Sequence, residues 1–432
     1  MTRHRQRIEN WFNGSHRARK IGASLLIVIG LVALVVAIKK AFTRELDIYV
    51  VLNASRNLLV GNDVYTTPAA NGAYYLYLPL LAFLFIPLTF LPQVVAGVLW
   101  TIICIGLIGW TLHGSIKLIT HESELSPFMR WTLNLLPVIF CADAISSEIG
   151  NAQVNCLILA ATVFSLKLIE KRRPLIAGTI LGVATVAKVF AAPILLYELL
   201  LNRRFRTVIV AAIAGVCALV LPALSIGWQK NLDYLSYWTN NIALQGDVVS
   251  HRSGFAGNAS IQAILTRLFT DQPAFIWNGS PYRLNFTSAN PALIGWIGIA
   301  IPVIALLLLA AYFVWFRHRG RLVSYWGGIA LAFSVAPLIT PVVERPHFVM
   351  LLPAYVYVSW MWLNERIESK TFYALLIAAF ALSTFTLKLY VGEFWANVFW
   401  SLGAPTICDL CVIAAIFVAA AHQKEPDLTV AG

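Results

Sequence analysis

The chain has 432 residues, of which 59% are hydrophobic and only 12% charged, and its formal net charge is +12. Soluble domains carry roughly a quarter charged residues, so this composition argues against a soluble protein and for a polytopic membrane protein. A charge of +12 could suggest a nucleic-acid partner, but the Lys and Arg lie in short clusters between apolar runs, the pattern that fixes membrane orientation.

Residues 1–20 form a basic tail containing Arg3, Arg5, Arg7, Arg17, Arg19 and Lys20. The run Ile21–Ile38 is long enough to cross a bilayer, and no small-residue cleavage site follows it. The excess of positive charge places the tail in the cytoplasm and residue 40 onward outside. Further apolar runs lie at about 74–92, 93–112, 131–147, 152–169, 174–201, 207–226, 291–316, 322–342, 346–363, 371–389 and 404–421. If each crossed once, Lys171–Arg173 would land outside. The conflict disappears if 74–92, interrupted by Pro87 and Pro92, stays interfacial or re-entrant. It also requires 174–201 to fold as a tight helical hairpin turning at Lys188–Pro193. The expectation is an all-α polytopic membrane protein with about twelve transmembrane helices and both termini cytoplasmic. A single transmembrane domain covers 21–421, with external loops at about 40–92 and 228–290 and a cytoplasmic tail at 422–432. The second loop carries Trp228, Tyr234, Tyr237, Trp238 and Trp277 but no period-2 pattern, so it predicts short amphipathic helices on the outer membrane surface.

Ionisable residues near membrane depth are functional candidates. Here they are Asp47, Asp143, Glu148, Lys188, Arg252, Glu344, Arg345 and His347. Asp47 opens an amphipathic stretch closed by Gly61; spacing allows either a catalytic carboxylate or a helix N-cap. Lys188 follows a small-residue face, Gly178 to Gly182, that permits close helix packing. It calls for an anionic partner, either a phosphate or Glu148. His347 either donates to an anionic leaving group or is satisfied by Glu344. Asp143 and Glu148 flank a turn ending at Gln153 and Asn155, a pairing compatible with glycosidase chemistry, a metal or a structural role. Four of the six cysteines lie inside apolar runs as small hydrophobes. Cys408 and Cys411 form a lone CxxC with no second ligand pair, so no metal site is predicted.

Several short motifs recur in an order that resembles glycosyltransferase family 87, whose members have the GT-C architecture. Leu46-Asp47-Ile48-Tyr49-Val50 resembles the start of that family's first external loop, and Gly61 through Tyr65 its Gly-x-x-x-Tyr. Tyr75-Leu76-Tyr77-Leu78-Pro79 is similar to its Tyr-x-Tyr-Pro-Pro, with Leu78 for the first proline. Ala152-Gln153-Val154-Asn155 resembles Gly-Gln-Ile-Asn, with Ala152 for glycine. Gly178, Gly182 and Lys188 resemble its Gly-x3-Gly-x5-Lys, and Asn258-Ala259-Ser260 with Arg267 its external Asn-x-Ser-x6-Arg. His347 falls where the family places a histidine at the start of a late helix.

The resemblance implies an inverting membrane glycosyltransferase that moves a hexosyl (mannose-like) or pentosyl residue from a polyprenyl-phosphate donor. The acceptor would be an envelope glycan or glycolipid at the outer face of the cell membrane, with no metal or other cofactor. It implies Asp47 as catalytic base, and Lys188, His347, Arg252 and Arg345 as ligands of the donor phosphate and sugar. Tyr49, Tyr65, Tyr77, Glu148, Gln153, Asn155 and Asn258 would line the substrate. Two other classes fit many helices and an intramembrane lysine: a lipid-linked sugar transporter or flippase, and a surface-polysaccharide ligase or polymerase.

Overall fold

The computed structural model describes residues 16–43, 45–121, 125–202, 204–243, 256–340, 342–364, 367 and 369–423. Arg252 lies outside them.

The first helix, α1 (His16–Thr43), has 28 residues and so runs about 42 Å. Helix α2 (Ile48–Val60) turns in immediately after it and ends at Gly61, whose φ of 82° is the left-handed stop expected from the sequence. The 74–92 run does not form a spanning helix. It gives the six-residue α3 (Pro79–Leu84) and a 3₁₀ turn over Ile86–Phe90, divided where Pro87 removes a backbone donor. Helix α4 (Gln93–Thr120) is continuous. Helices α5 (Pro127–Phe140) and α6 (Ala142–Asn151) meet at a 69° bend, and α7 (Asn155–Glu170) follows.

The 174–201 run breaks at Lys188, whose extended backbone separates α8 (Pro174–Ala187) from a short 3₁₀ turn and α9 (Ala192–Asn202). The break is where the sequence puts it, but the arms do not make a tight hairpin. Helix α8 packs along α7 and α10 (Phe205–Val220), whereas α9 packs against later helices. The reason is the glycine face. A Cβ at Gly182 would lie 2.1 Å from the Ala211 carbonyl oxygen, and one at Gly178 would lie 2.5 Å from that of Thr207. These glycines bring α8 against α10, not α9. Gly182→Ala must push two backbones apart, so it should cost roughly 1–3 kcal/mol, as overpacking does. The check is a lower melting temperature of the purified protein in detergent.

The stretch 228–290 holds α11 (Trp228–Tyr237) and α12 (Ile261–Phe269). It also contains a two-stranded antiparallel hairpin, β1 (Phe275–Trp277) with β2 (Ser280–Tyr282). No strand was expected here. Only three residue pairs form, turned by Asn278 and Gly279 at positive φ, and three residues are too few for alternation to show.

Helices α13 (Pro291–Phe316), α14 (Gly328–Leu338), α15 (Leu352–Leu363), α16 (Lys370–Thr384), α17 (Lys388–Ser401) and α18 (Ala404–His422) complete the chain. Every residue of α14 is buried, and so is nearly all of α15; helices apolar all round belong at the centre of a bundle. Helix α13 instead exposes Trp296 and Trp315 near its two ends. Nineteen residues separate them, about 28 Å along a helix, close to the thickness of a bilayer's hydrocarbon core.

The protein is a helical membrane protein. Among the described residues, four helices are long and apolar enough to cross, or six if each of two sharply bent pairs is one span. The second pair, α16 and α17, bends by 92°. Several other runs that the sequence reads as crossings are divided into shorter helices, as at Lys188 and before α14 and α15.

Candidate active site

Asp47 sits between α1 and α2. Its N–H donates to the Asn151 carbonyl at 2.9 Å, tying it to the end of α6. Its side chain makes no capping bond to α2; instead Oδ2 accepts Nε2 of Gln153 at 2.6 Å. The N-cap reading therefore gives way. Helix α2 is buried from its first turn, and the carboxylate faces the α6–α7 turn across from it.

That turn is the pivot of the site. Helix α6 ends at Ala152 in the left-handed region, φ 51°. Gln153 follows, its N–H donating to Glu148 O at 3.0 Å and its carbonyl accepting Trp100 Nε1 at 3.0 Å. An L-residue in this conformation costs about 1–2 kcal/mol, and glycine's greater unfolded freedom offsets about half of that. Ala152→Gly should therefore raise stability by up to about 1 kcal/mol, read as a higher melting temperature with catalysis unchanged.

Asn155 opens α7 and joins both sides of the cluster. Its Oδ1 accepts Lys188 Nζ at 2.5 Å, and its Nδ2 donates to Glu148 Oε2 at 2.8 Å. Glu148 also accepts the Cys156 N–H at 2.7 Å. Glu148 thus meets Lys188 through Asn155 and not as a direct ion pair. Lys188 Nζ lies 2.8 Å from His347 Nε2, and 5.1 Å from the ring centres of both Tyr77 and Phe190.

The other nitrogen of His347 settles its tautomer. Nδ1 accepts the Glu344 backbone N–H at 2.7 Å, so the neutral ring, assigned from this partner, carries its proton on Nε2. A lysine ammonium has donors only. At 2.8 Å one of the pair must accept from the other, so Lys188 and His347 form one hydrogen-bonded unit, and an anionic oxygen bound beside them could accept from both. Of the two sequence readings of His347, the structure shows the contact with Glu344, made at Nδ1.

Burial, with a smaller push from the nearby Glu344 carboxylate, raises the Asp47 carboxyl, which comes to about 6. The Gln153 hydrogen bond and the charges of Lys40 and Lys188 oppose that rise. A carboxylate titrating here is an effective proton acceptor near neutral pH.

Arg345 lies at one side, 3.4 Å from Asp143 and 4.0 Å from the centre of the Trp400 ring. Tyr49 donates to Ala41 O at 3.0 Å and packs against Gly97, which makes it a strut of α2. Tyr65 donates to Tyr77 O at 3.0 Å and stacks on Tyr237, joining the chain before α3 to α11. The Asn258 side chain accepts the N–H groups of Val343 and Ser260, both at 3.1 Å. It holds the strand of chain that delivers Glu344, Arg345 and His347.

One feature escaped the sequence reading. A cleft of about 430 Å³ opens between α1 and α6, with Val28, Val32 and Val36 along one wall and Lys40, Asn151 and Arg345 in its polar lining. Lys40 Nζ donates to Asn151 Oδ1 at 2.6 Å, and the backbone carbonyl of Asn151 is the partner of Asp47. The signal was present: Lys39-Lys40 ends an apolar run on the side where the positive-inside pattern expects few cations.

The sequence profile of glycosyltransferase family 87 matches residues 75–296. The chain belongs to glycosyltransferase family 87. It is a membrane glycosyltransferase, and Tyr77, Gln153, Asn155 and Lys188 lie in the matched stretch. It is similar to the polyprenol-phosphate-mannose-dependent alpha-(1-2)-phosphatidylinositol mannoside mannosyltransferase of Mycobacterium tuberculosis. The two are 24% identical over 324 residues, 72% of this chain and 68% of that relative. No solved structure matches this glycosyltransferase.

Proposed function

We propose that this glycosyltransferase moves a hexosyl, mannose-like, or pentosyl residue from a polyprenyl-phosphate donor to a hydroxyl of an envelope glycan or glycolipid, with inversion, at the outer face of the cell membrane. The observation that carries this is the single turn Ala152–Asn155. It holds a proton acceptor, Asp47, on one side and a two-donor anion seat, Lys188 with His347, on the other. The named activity of the mycobacterial relative supports the donor class.

In this scheme Asp47 takes the proton of the acceptor hydroxyl. That oxygen bonds to the anomeric carbon from the face opposite the phosphate. The bond between the anomeric carbon and the phosphate oxygen breaks, and polyprenyl phosphate leaves with the electron pair. Lys188 and the Nε2–H of His347 meet the negative charge as it develops. No metal ion or other cofactor enters the scheme, because side-chain cations take the leaving group. The cleft between α1 and α6 suits the donor's first isoprene units along its valines, with Lys40, next to the residue that holds Asp47, beside the headgroup. Tyr77 and Gln153 face the sugar, and Glu148 keeps Asn155 oriented.

The test uses purified protein in nanodiscs with a panel of polyprenyl-phosphate sugars, mannose among them. Release or transfer of sugar from one donor, with the anomeric configuration inverted, is the expected result. If the lipid-linked sugar crosses the bilayer intact and no glycosidic bond is made, the protein is a flippase and the scheme is wrong.

A further inference from the structure

A second cleft lies at the far end of the same helices. Helix α7 begins at Asn155 in the active site and reaches this cleft at Ile169. Those fourteen residues place the two about 21 Å apart. The cleft has a volume of about 560 Å³ and is lined by Arg172, Arg204, Arg206, Thr207, Phe205 and Pro174, with Ile169 at its back.

Several independent features there call for an anion. The amino ends of α8 and α10 both open onto the cleft, and such ends offer unbonded amides. Neither Arg172 nor Arg206 has a carboxylate partner among the described residues. Arg204 is held in place, its guanidinium 3.0 Å from the buried Glu198, which also accepts the Tyr325 hydroxyl at 2.7 Å. Arg172 occupies the left-handed region, φ 56°, where an arginine is strained. Thr207 is 1% exposed, lines the cleft, and its hydroxyl has no hydrogen-bond partner among the described residues. A buried hydroxyl without a partner costs stability, and a bound oxygen would remove that cost.

Loose attraction of basic loops to a membrane surface would explain the arginines. It does not explain a buried, unpartnered hydroxyl beside two helix amino ends. The surroundings decide between a lipid and a free ion. Leu175 and Ile176 on α8, with Phe205, Ile209 and Ile213 on α10, are exposed apolar side chains running away from the cleft. They would lie along an acyl chain. We propose that this cleft is a binding site for the phosphate headgroup of a membrane lipid, separate from the site at Asp47.

The experiment is native mass spectrometry of the full chain in mild detergent, titrated separately with phosphatidylglycerol, phosphatidylcholine and inorganic phosphate. One phosphatidylglycerol per chain should be retained in preference to phosphatidylcholine. Arg206→Gln removes an exposed charge and Thr207→Val keeps the side chain's shape, so both should fold. Each should weaken retention by about tenfold, the loss expected for one hydrogen bond to a charged group. Arg317→Gln, which removes a charge from another basic cluster, should leave retention unchanged. If Arg317→Gln weakens it as much as Arg206→Gln, or if Thr207→Val has no effect, the attraction is diffuse and the site does not exist. Inorganic phosphate binding as tightly as the lipid would overturn the lipid assignment. Asp47 and its partners are untouched, so none of these outcomes depends on the sugar-transfer scheme.

Discussion

Asp47→Asn will lower sugar transfer by about 10²–10⁴-fold, the usual contribution of a general base. The expected change is in kcat, with donor binding nearly intact, because the proposed phosphate seat is built from other residues. Asparagine keeps the shape and can still meet Gln153, but it cannot take a proton. Unfolding is excluded by a sign argument. The Asp47 carboxyl titrates at about 6 in the folded protein, above its ordinary 3.8. Its contribution to stability is therefore complete below about pH 4 and lost as the pH rises through 6. At pH 7 the wild type carries a charge that its surroundings disfavour, and the neutral variant should melt at the same temperature or higher. A dead enzyme that is at least as stable identifies a chemical role. The same titration sets the acid limb of the wild-type rate profile. Activity should fall as the pH drops through about 6, tenfold per unit below it. A limb centred near 4, or an Asn variant that still turns over, would remove Asp47 from the base role.

Lys188→Ala should cost about 10²–10³-fold, the loss seen when one donor to a developing anion is removed. The effect should appear in donor binding as well as in kcat, since the leaving phosphate is charged before the reaction too. Lys188→Arg keeps the charge but cannot place a compact ammonium between Asn155 Oδ1 and His347 Nε2. It should recover binding more than rate. Equal losses in both variants would mean that Lys188 acts through packing at the break between α8 and α9. Pre-steady-state measurement of sugar release separates the two effects.

Much of this site was legible in the sequence because its residues are costly where they lie. Asp47, Lys188 and His347 interrupt apolar runs, and an interruption at membrane depth is visible without a structure. Helix ends marked by glycine, such as Gly61, were legible for the same local reason. Which groups meet was not legible. Whether Lys188 pairs with Glu148 directly or through Asn155 depends on side chains 33 and 40 positions away in the sequence. The partner of the Gly178–Gly182 face was also hidden, since a small-residue stripe shows that something packs closely but not what. Crossing number was the weakest inference. Hydropathy records the length of an apolar run, whereas Cys141 and the stretch between Thr384 and Lys388 break runs into segments at sharp angles, and the extended backbone at Lys188 divides another. The bracing role of Asn258, whose Oδ1 accepts two backbone N–H groups, was likewise hidden, because the motif does not show which groups the amide meets.

The valine-lined cleft between α1 and α6 affects how this enzyme must be assayed. If the donor enters sideways from the bilayer, the concentration that governs its capture is its mole fraction among lipids, not its amount per litre. Adding empty vesicles at constant donor changes nothing for an aqueous substrate. Adding inert lipid to the enzyme's own membrane dilutes this donor in two dimensions and should slow turnover in proportion when the donor is scarce. An apparent KM in molar units would then drift with detergent or lipid content, while one expressed per lipid would stay constant.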